Sequence, residues 1–356
     1  MLIAYILACE DLALKDVLPF EDYAFTEDLD YSKKSQIIVT RQPNIANDDF
    51  VICKDGNDVV FIGLCVDYSS EQDNTGYTIN LEQKERLFDR QIFLTNTDIK
   101  STTGIEDFIV NQITTNWISS GDPLTDITYI TAVATTHTPV AAAVSSIVNV
   151  ENGIYNLKTF LGNAKEFYQV YLDYAFDYVQ KTLTISVSVK TENILIFDAT
   201  VSDVPNYEET YDVDVLSKLA VHWQQDENTD SYITYYLRSD RTITTDVNDP
   251  LRVYGVSKCV YIETDTLADM QQQAFNEFAG NSYNHKISLS IKKDSRIYQT
   301  NAYHVGRICR FKTKSGTRQS IITALSVSSD SQLVEMVFGK LDVTLLEKLR
   351  RLYKNA

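Results

Sequence analysis

Basic residues are in short supply. The chain sets 32 Lys and Arg against 49 Asp and Glu, a net charge of −17. That disfavours a wrapped nucleic-acid partner, because phosphate binding takes clustered Lys and Arg. An acidic wall repels DNA and suits a conduit that nucleic acid crosses without sticking; otherwise the charge serves solubility. Cysteines are few: Cys9, Cys53, Cys65, Cys259 and Cys309, with no C-x-x-C pair. An odd number without a framework points to folding in a reducing compartment, and Cys53, Cys65 and Cys309 lie in strand-like runs where a thiol is a small hydrophobe. There is no G-x-S-x-G elbow, P-loop, G-x-G-x-x-G or H-E-x-x-H. The four histidines, His137, His222, His285 and His304, are far apart in sequence, so a metal or acid/base site would need two of them to meet in space. Long apolar runs are missing too. Met1–Cys9 is apolar but lacks a basic flank and runs into Glu10-Asp11, which reads as a first strand or short helix and not as a signal peptide. The least charged window, Ile127–Val150, is made of Thr, Ser and Ala around Pro139. It lacks the Leu, Ile and Phe of a membrane span, and is expected as an extended surface arm or a pair of strands. No repeat of solenoid period is visible.

What is present is an ordinary globular composition, 44% apolar and 23% charged over 356 residues, with room for two or three domains. Tyr is abundant, at 22 against 15 Phe and 2 Trp, which favours strands and interfaces. Residues 35–95 read as a strand domain: Ser35–Arg41, Phe50–Lys54, Val59–Tyr68 and Tyr77–Leu81, with turns at Asp55-Gly56-Asn57 and Asn74-Thr75-Gly76. The carboxylate-rich Asp11–Asp30 reads as an exposed acidic loop. Helical spacing predicts Ile105–Trp117, Gly153–Phe167, Thr266–Ala279 and Asp342–Tyr353. Strands are expected at Tyr168–Phe176, Thr182–Val189, Ile194–Thr200, Lys218–Trp223 and Tyr232–Leu237, and in a C-terminal antiparallel block: His285–Lys292, His304–Lys314, Arg318–Val327 and Gln332–Phe338. The predicted class is therefore α+β, mainly β.

Three weak chemical signals are present. Asp226, Asn228 and Asp230 open like a calcium loop, but Ser231 and Leu237 stand where Gly and Glu are needed, which leaves an ordinary acidic turn. Asp173 and Asp177 share a strand face and could in principle serve glycoside chemistry, although nothing fixes them around a substrate. The Tyr-rich strands could stack sugars or bases, but with little basic interleaving sheet packing explains them better. No catalytic, metal or cofactor residues are assigned.

Three segments carry a family resemblance: Val59–Leu94, with Gly63 and INLEQKERLFDRQIFL; Leu267–Leu289, a helix followed by HKISLSI; and Tyr303–Leu341, with its Val305-Gly306 and three strands. In element order the chain resembles the baseplate-hub proteins at the tail tip of tailed bacteriophages, which also form the N-terminal structural part of tail-associated lysins. The resemblance implies two tube-protein-like β-barrels, roughly residues 1–100 and 206–340. The second would use about 206–225 with 283–340 and carry a helix-bearing insert at about 226–282. It also implies a peripheral helix/strand domain over 101–205 and a C-terminal helix over 341–356. It implies a homotrimer whose six barrels match a hexameric distal tail protein or tail tube above. A threefold spike, fibre or receptor-binding protein would sit below, and tape-measure protein and DNA would pass through without specific binding. The location implied is the virion tail tip, assembled in the host cytoplasm. No peptidase or muramidase domain follows the last strand, so lytic activity is expected on a partner. Arg318 and Glu335, expected on sheet-edge strands, are the candidate assembly-interface residues. The competing expectations are another virion or injection-machine component, and a glycan-binding or glycan-processing β protein.

Overall fold

The computed structural model describes residues 1–70, 76–93, 104–137, 154–190, 195–198, 202–211, 216–238, 243–267, 270–271, 273–274, 277–278, 285–296, 298, 303–313 and 316–339. Six N-terminal strands pair in a ring: β1 (Leu2–Leu7), β2 (Leu14–Asp28), β3 (Ser35–Val39), β4 (Phe50–Asp55), β5 (Asp58–Ser70) and β6 (Tyr77–Gln83). The order is β1-β4-β5-β6-β3-β2, and β2 pairs back onto β1, so the hydrogen-bonded circuit closes. Closure removes exposed edges. The inward positions supply the core: Ala4, Ile6, Leu18, Phe20, Ile37, Val39, Val51, Cys53, Phe61, Ile79 and Leu81 are all buried. Each fully buried aliphatic or aromatic side chain contributes about 1.5–3 kcal/mol.

Residues 11–30 differ from expectation. They form β2 and not a loop. Leu18, Phe20 and Phe25 point inward while Glu21 and Asp22 stay wet, and a register shift between Phe20 and Asp22 breaks the alternation that would have revealed the strand. One edge of β2 holds β1 through Leu14–Pro19. Pro19, which has no N–H to donate, is the last rung with β1. Further along, Ala24–Asp28 pairs with Ala324–Ser328 of β20 (Gly316–Ser328). The circuit thereby continues through β20, β21 (Leu333–Gly339) and β18 (His285–Lys292) to β13 (Asn206–Tyr211), with β19 (Ile308–Thr313) and β12 (Leu195–Asp198) joined along β20. Arg318 and Glu335 therefore lie on strands that are interior in the sheet order and not on edge strands: β20 pairs β2, β19 and β21, and β21 pairs β20 and β18, with Arg318 opposite Phe311 of β19.

Two helices pack beside the ring. The first, α1 (Ile105–Ile113), continues as a π-helical turn over Thr114–Ile118, where buried Trp117 donates to the Leu87 carbonyl at 3.1 Å. The second, α2 (Leu157–Tyr168), begins later than its apolar spacing predicts. Ile154–Asn156 form a strand, β9, against β7 (Gln91–Phe93), and the Asn156 side chain accepts from the Thr159 amide at 3.1 Å. The strand pair β10 (Val170–Asp177) and β11 (Thr182–Val189) follows, with β8 (Ile130–Ala134) parallel to β11. Thus the start of the low-charge window 127–150 is partly strand, and its remainder lies outside the described residues.

By its contacts the chain divides into two units, Met1–Glu208 with Ser288–Phe338, and Glu209–Ile287 with Gly339–Ala356. The second unit is built on a four-stranded sheet, β16-β15-β14-β17, from β14 (Leu216–Asp226), β15 (Thr229–Leu237), β16 (Ile243–Thr244) and β17 (Val256–Glu263). Leu219, Val221, Trp223 and Ile262 form its core with Met270, Ala274 and Phe278, which recur every four residues within the described helical positions. The predicted C-terminal helix 342–353 lies outside the described residues. The architecture is α+β and mainly β.

Candidate functional site

The cavity with the densest chemistry lies in the first unit and measures about 270 Å³. Glu27 comes from β2, Gln83 from β6, and Lys84 and Glu85 from the 3-10 turn that follows. Lys165 comes from α2, Tyr171 and Asp173 from β10, Lys190 from just past β11, and His304 and Arg307 from the loop before β19. The polar side chains reach one place because the 3-10 turn leads the chain out of the ring, while the loop 303–307 folds back across α2. That loop depends on Gly306, whose φ is +90° and whose missing Cβ leaves room for the Lys165 stem.

The charges are mostly paired. Lys165 Nζ donates to Glu85 Oε1 at 3.2 Å, with both side chains nearly sealed from solvent. Lys190 Nζ donates to Asp173 Oδ2 at 2.6 Å. Glu27 Oε2 is 3.8 Å from His304 Nδ1. Burial alone would raise the Glu27 carboxyl, but His304 first, then Lys84 and Lys165, outweigh it and hold the group at about 2. Lys84 sits 5.0 Å over the Tyr174 ring, and the Tyr171 ring faces Lys190 at 5.3 Å and Arg307 at 5.5 Å. The hydroxyls of Tyr31, Tyr171 and Tyr174 are buried with no hydrogen-bond partner among the described residues. Burial pushes all three well above the ordinary phenol range.

The sequence candidates fall elsewhere or apart. Arg318 is opposite Phe311 in the β19–β20 ladder, and Glu335 is exposed on β21. Asp173 is engaged by Lys190, whereas Asp177 accepts the amides of Val179 and Gln180, so the two carboxylates do separate structural jobs. Asp226 accepts the Asn228 amide at 2.8 Å in the β14–β15 hairpin, and Asp230 meets His222 Nε2 at 2.9 Å. His222 also stacks on Tyr232 and meets Tyr261 edge-on, a cross-strand ladder on three neighbouring strands. His137 pairs with Asp107 at 2.9 Å. Cys9, Glu10 and Asp49 bring ligand atoms within 4.8 Å of one another. Burial first, then Glu10 and Asp49, raises the Cys9 thiol to about 11, and Asp49 already accepts from Lys15 Nζ and from the amides of Ala46 and Cys9. That group is a structural knot and not a ready ligand set.

No protein-family model matches the sequence, and no curated protein matches it. Solved structures do match, and over nearly the whole chain. The tail protein from Neisseria meningitidis MC58 aligns with TM-score 0.57 at 11% identity, covering 97% of this chain and 98% of that one. A component of the p2 virion baseplate in its activated conformation gives 0.54 at 11% identity, covering 95% and 98%. The 43 kDa tail protein of prophage MuSo2 from Shewanella oneidensis gives 0.51 at 12% identity, covering 97% and 99%. The class is thus a mainly β protein organised around a closed N-terminal ring. Its fold is that of phage tail and baseplate proteins, as the sequence resemblance implied.

Proposed function

We propose that this chain is a non-enzymatic structural component of a phage tail tip, a baseplate hub that assembles as a homotrimeric ring. The observation that carries the reading is the closed β1–β6 circuit continuing through β2 and β20 into a further set of strands, in a fold shared end to end with tail and baseplate proteins. In this reading residues 1–100 form one tube-like module. A second is drawn from β13 and β18–β21 within 206–340, with the β14–β17 sheet as its insert and 101–205 on the periphery. Three chains then present six modules to a hexameric tail tube or distal tail protein, and threefold symmetry to a spike, fibre or receptor-binding protein. Tape-measure protein and DNA pass through the lumen, which the charge of −17 per chain keeps from binding phosphates. The ring is built in the host cytoplasm and resides at the virion tail tip, and Arg318 and Glu335 lie where subunits meet.

Size-exclusion chromatography with light scattering tests this, followed by electron microscopy of the main peak. A threefold ring with an open centre is expected, alone or on adding the tube partner. A monomer under both conditions would refute the proposal.

A further inference from the structure

We propose that the open face of the β14–β15–β17 sheet in the second unit is a binding site for a neutral oligosaccharide. The opposite face is sealed, since Leu219, Val221, Trp223 and Ile262 pack with Met270, Ala274 and Phe278. The open face carries three successive rows of side chains, each drawn from β15, β14 and β17 in register. The middle row is aromatic: Tyr232, His222 and Tyr261. The row on one side is small, with Thr234, Ala220 and Cys259; the row on the other is polar, with Asp230, Gln224 and Glu263. Tyr235 and Tyr236 of the same sheet are buried, whereas Tyr232 is 75% and Tyr261 55% exposed.

The rings are held in place. His222 stacks on Tyr232 at 4.5 Å with 11° between the planes, and its Nε2 meets Asp230 Oδ2. Strand β16 reaches only Tyr236 and Leu237, so the ring face of Tyr232 away from His222 opens on solvent. Tyr261 stands at 70° to His222, and its hydroxyl donates to Gln224 Oε1 at 2.6 Å, one row along on β14. That diagonal bond draws the ring across the sheet. Two ring planes thus meet at a corner, and the row of small residues leaves a step beside it.

A pyranose has a flat C–H face, which the negative face of an aromatic ring attracts, and a rim of hydroxyls that donate to carboxylates. Asp230, whose side chain is 53% exposed, and Glu263, also exposed, supply acceptors in the next row. Alternate residues on a strand are about 7 Å apart, within reach of the hydroxyls of a sugar stacked on the rings. Three strands span about 10 Å, room for two linked sugars. The three rows hold two carboxylates and no Lys or Arg, so phosphate-bearing ligands and acidic glycans are repelled. The apolar patch of a protein partner would bury those carboxylates without hydrogen-bond donors.

An array of neutral and acidic oligosaccharides probed with the labelled full chain tests the proposal, followed by calorimetric titration with the tightest neutral binder. Saturable binding of at least one neutral oligosaccharide is expected. Tyr232→Ala and Tyr261→Ala should each weaken it at least tenfold. Tyr261→Phe keeps the ring but frees it from Gln224, and should weaken binding several-fold; it keeps the test decisive if an alanine variant fails to fold. Tyr254→Ala removes a fully exposed ring that lies outside the three rows and should change nothing. Absence of neutral binders, binding confined to acidic glycans, or undiminished affinity in Tyr232→Ala or Tyr261→Phe overturns the proposal. Binding of a tetra-arginine peptide with no glycan bound would also overturn it, reassigning the face to a basic protein segment. None of these results bears on whether the chain forms a ring, which is read separately by light scattering.

Discussion

Glu27 is the residue whose ionisation the fold controls most visibly. Its carboxyl is held at about 2 against an ordinary 4.5. The folded state therefore favours the carboxylate more than the unfolded chain does. The stability this supplies is complete above about pH 4.5 and is lost as pH falls through about 2. Its upper size is on the order of 3 kcal/mol, and the remaining quarter of side-chain exposure reduces it. Glu27→Gln should thus show a smaller loss of stability between pH 5 and pH 2 than the parent, by roughly 1–3 kcal/mol, read from urea midpoints at the two pH values. Equal losses would mean that His304, Lys84 and Lys165 do not act on this carboxylate in the folded protein. None of this was legible in the sequence. Glu27 sat inside a carboxylate-rich stretch read as a loop, and Lys165 and Glu85 are separated by 80 positions. Charge pairing across such distances leaves no local pattern. The segments themselves were visible: the INLEQKERLFDRQIFL and YHVGRICRF stretches singled out for their resemblance contribute Gln83, Lys84, Glu85, His304 and Arg307 to one cavity.

Among the elements, α2 shows how close packing places side chains for the cleft. Gly162 lies on its buried face, and a Cβ there would overlap the Leu29 carbonyl oxygen and crowd the Tyr31 ring. The missing side chain lets the helix settle onto the end of β2, one turn before Lys165 reaches Glu85. On an exposed helix Gly→Ala would stabilise by about 1 kcal/mol. At Gly162 the backbone must retreat, so Gly162→Ala should destabilise by roughly 1–3 kcal/mol in urea unfolding followed by circular dichroism; a gain in stability would disprove the close approach. Periodicity found this helix and its apolar stripe of Leu157, Phe160, Leu161 and Ala164, all buried. It misplaced the start, because Ile154 and Tyr155 fit a helical stripe as well as the strand that pairs with Gln91–Phe93. The same ambiguity hid β2, whose bulge interrupts the two-residue period.

For the whole molecule, closure is the property that local pattern cannot announce. The alternation in residues 35–81 predicts strands, but the ring exists only because β2 returns to β1 and then leaves to meet β20. That long-range pairing also places Arg318 and Glu335 on interior strands of the sheet order, Arg318 opposite Phe311 of β19. Glu335 is exposed between buried Val334 and Met336, so reversing its charge leaves the packed face of β21 untouched and monomer folding should survive. A desolvated charge pair across an interface is worth about 2–5 kcal/mol when one partner is lost, and a threefold ring repeats the contact at each junction. In the proposed trimer, Glu335→Lys and, separately, Arg318→Glu should therefore shift the light-scattering mass from trimer toward monomer at micromolar concentration, with the circular dichroism spectrum unchanged. A trimer that persists in both variants would remove these residues from the interface while leaving the ring itself standing.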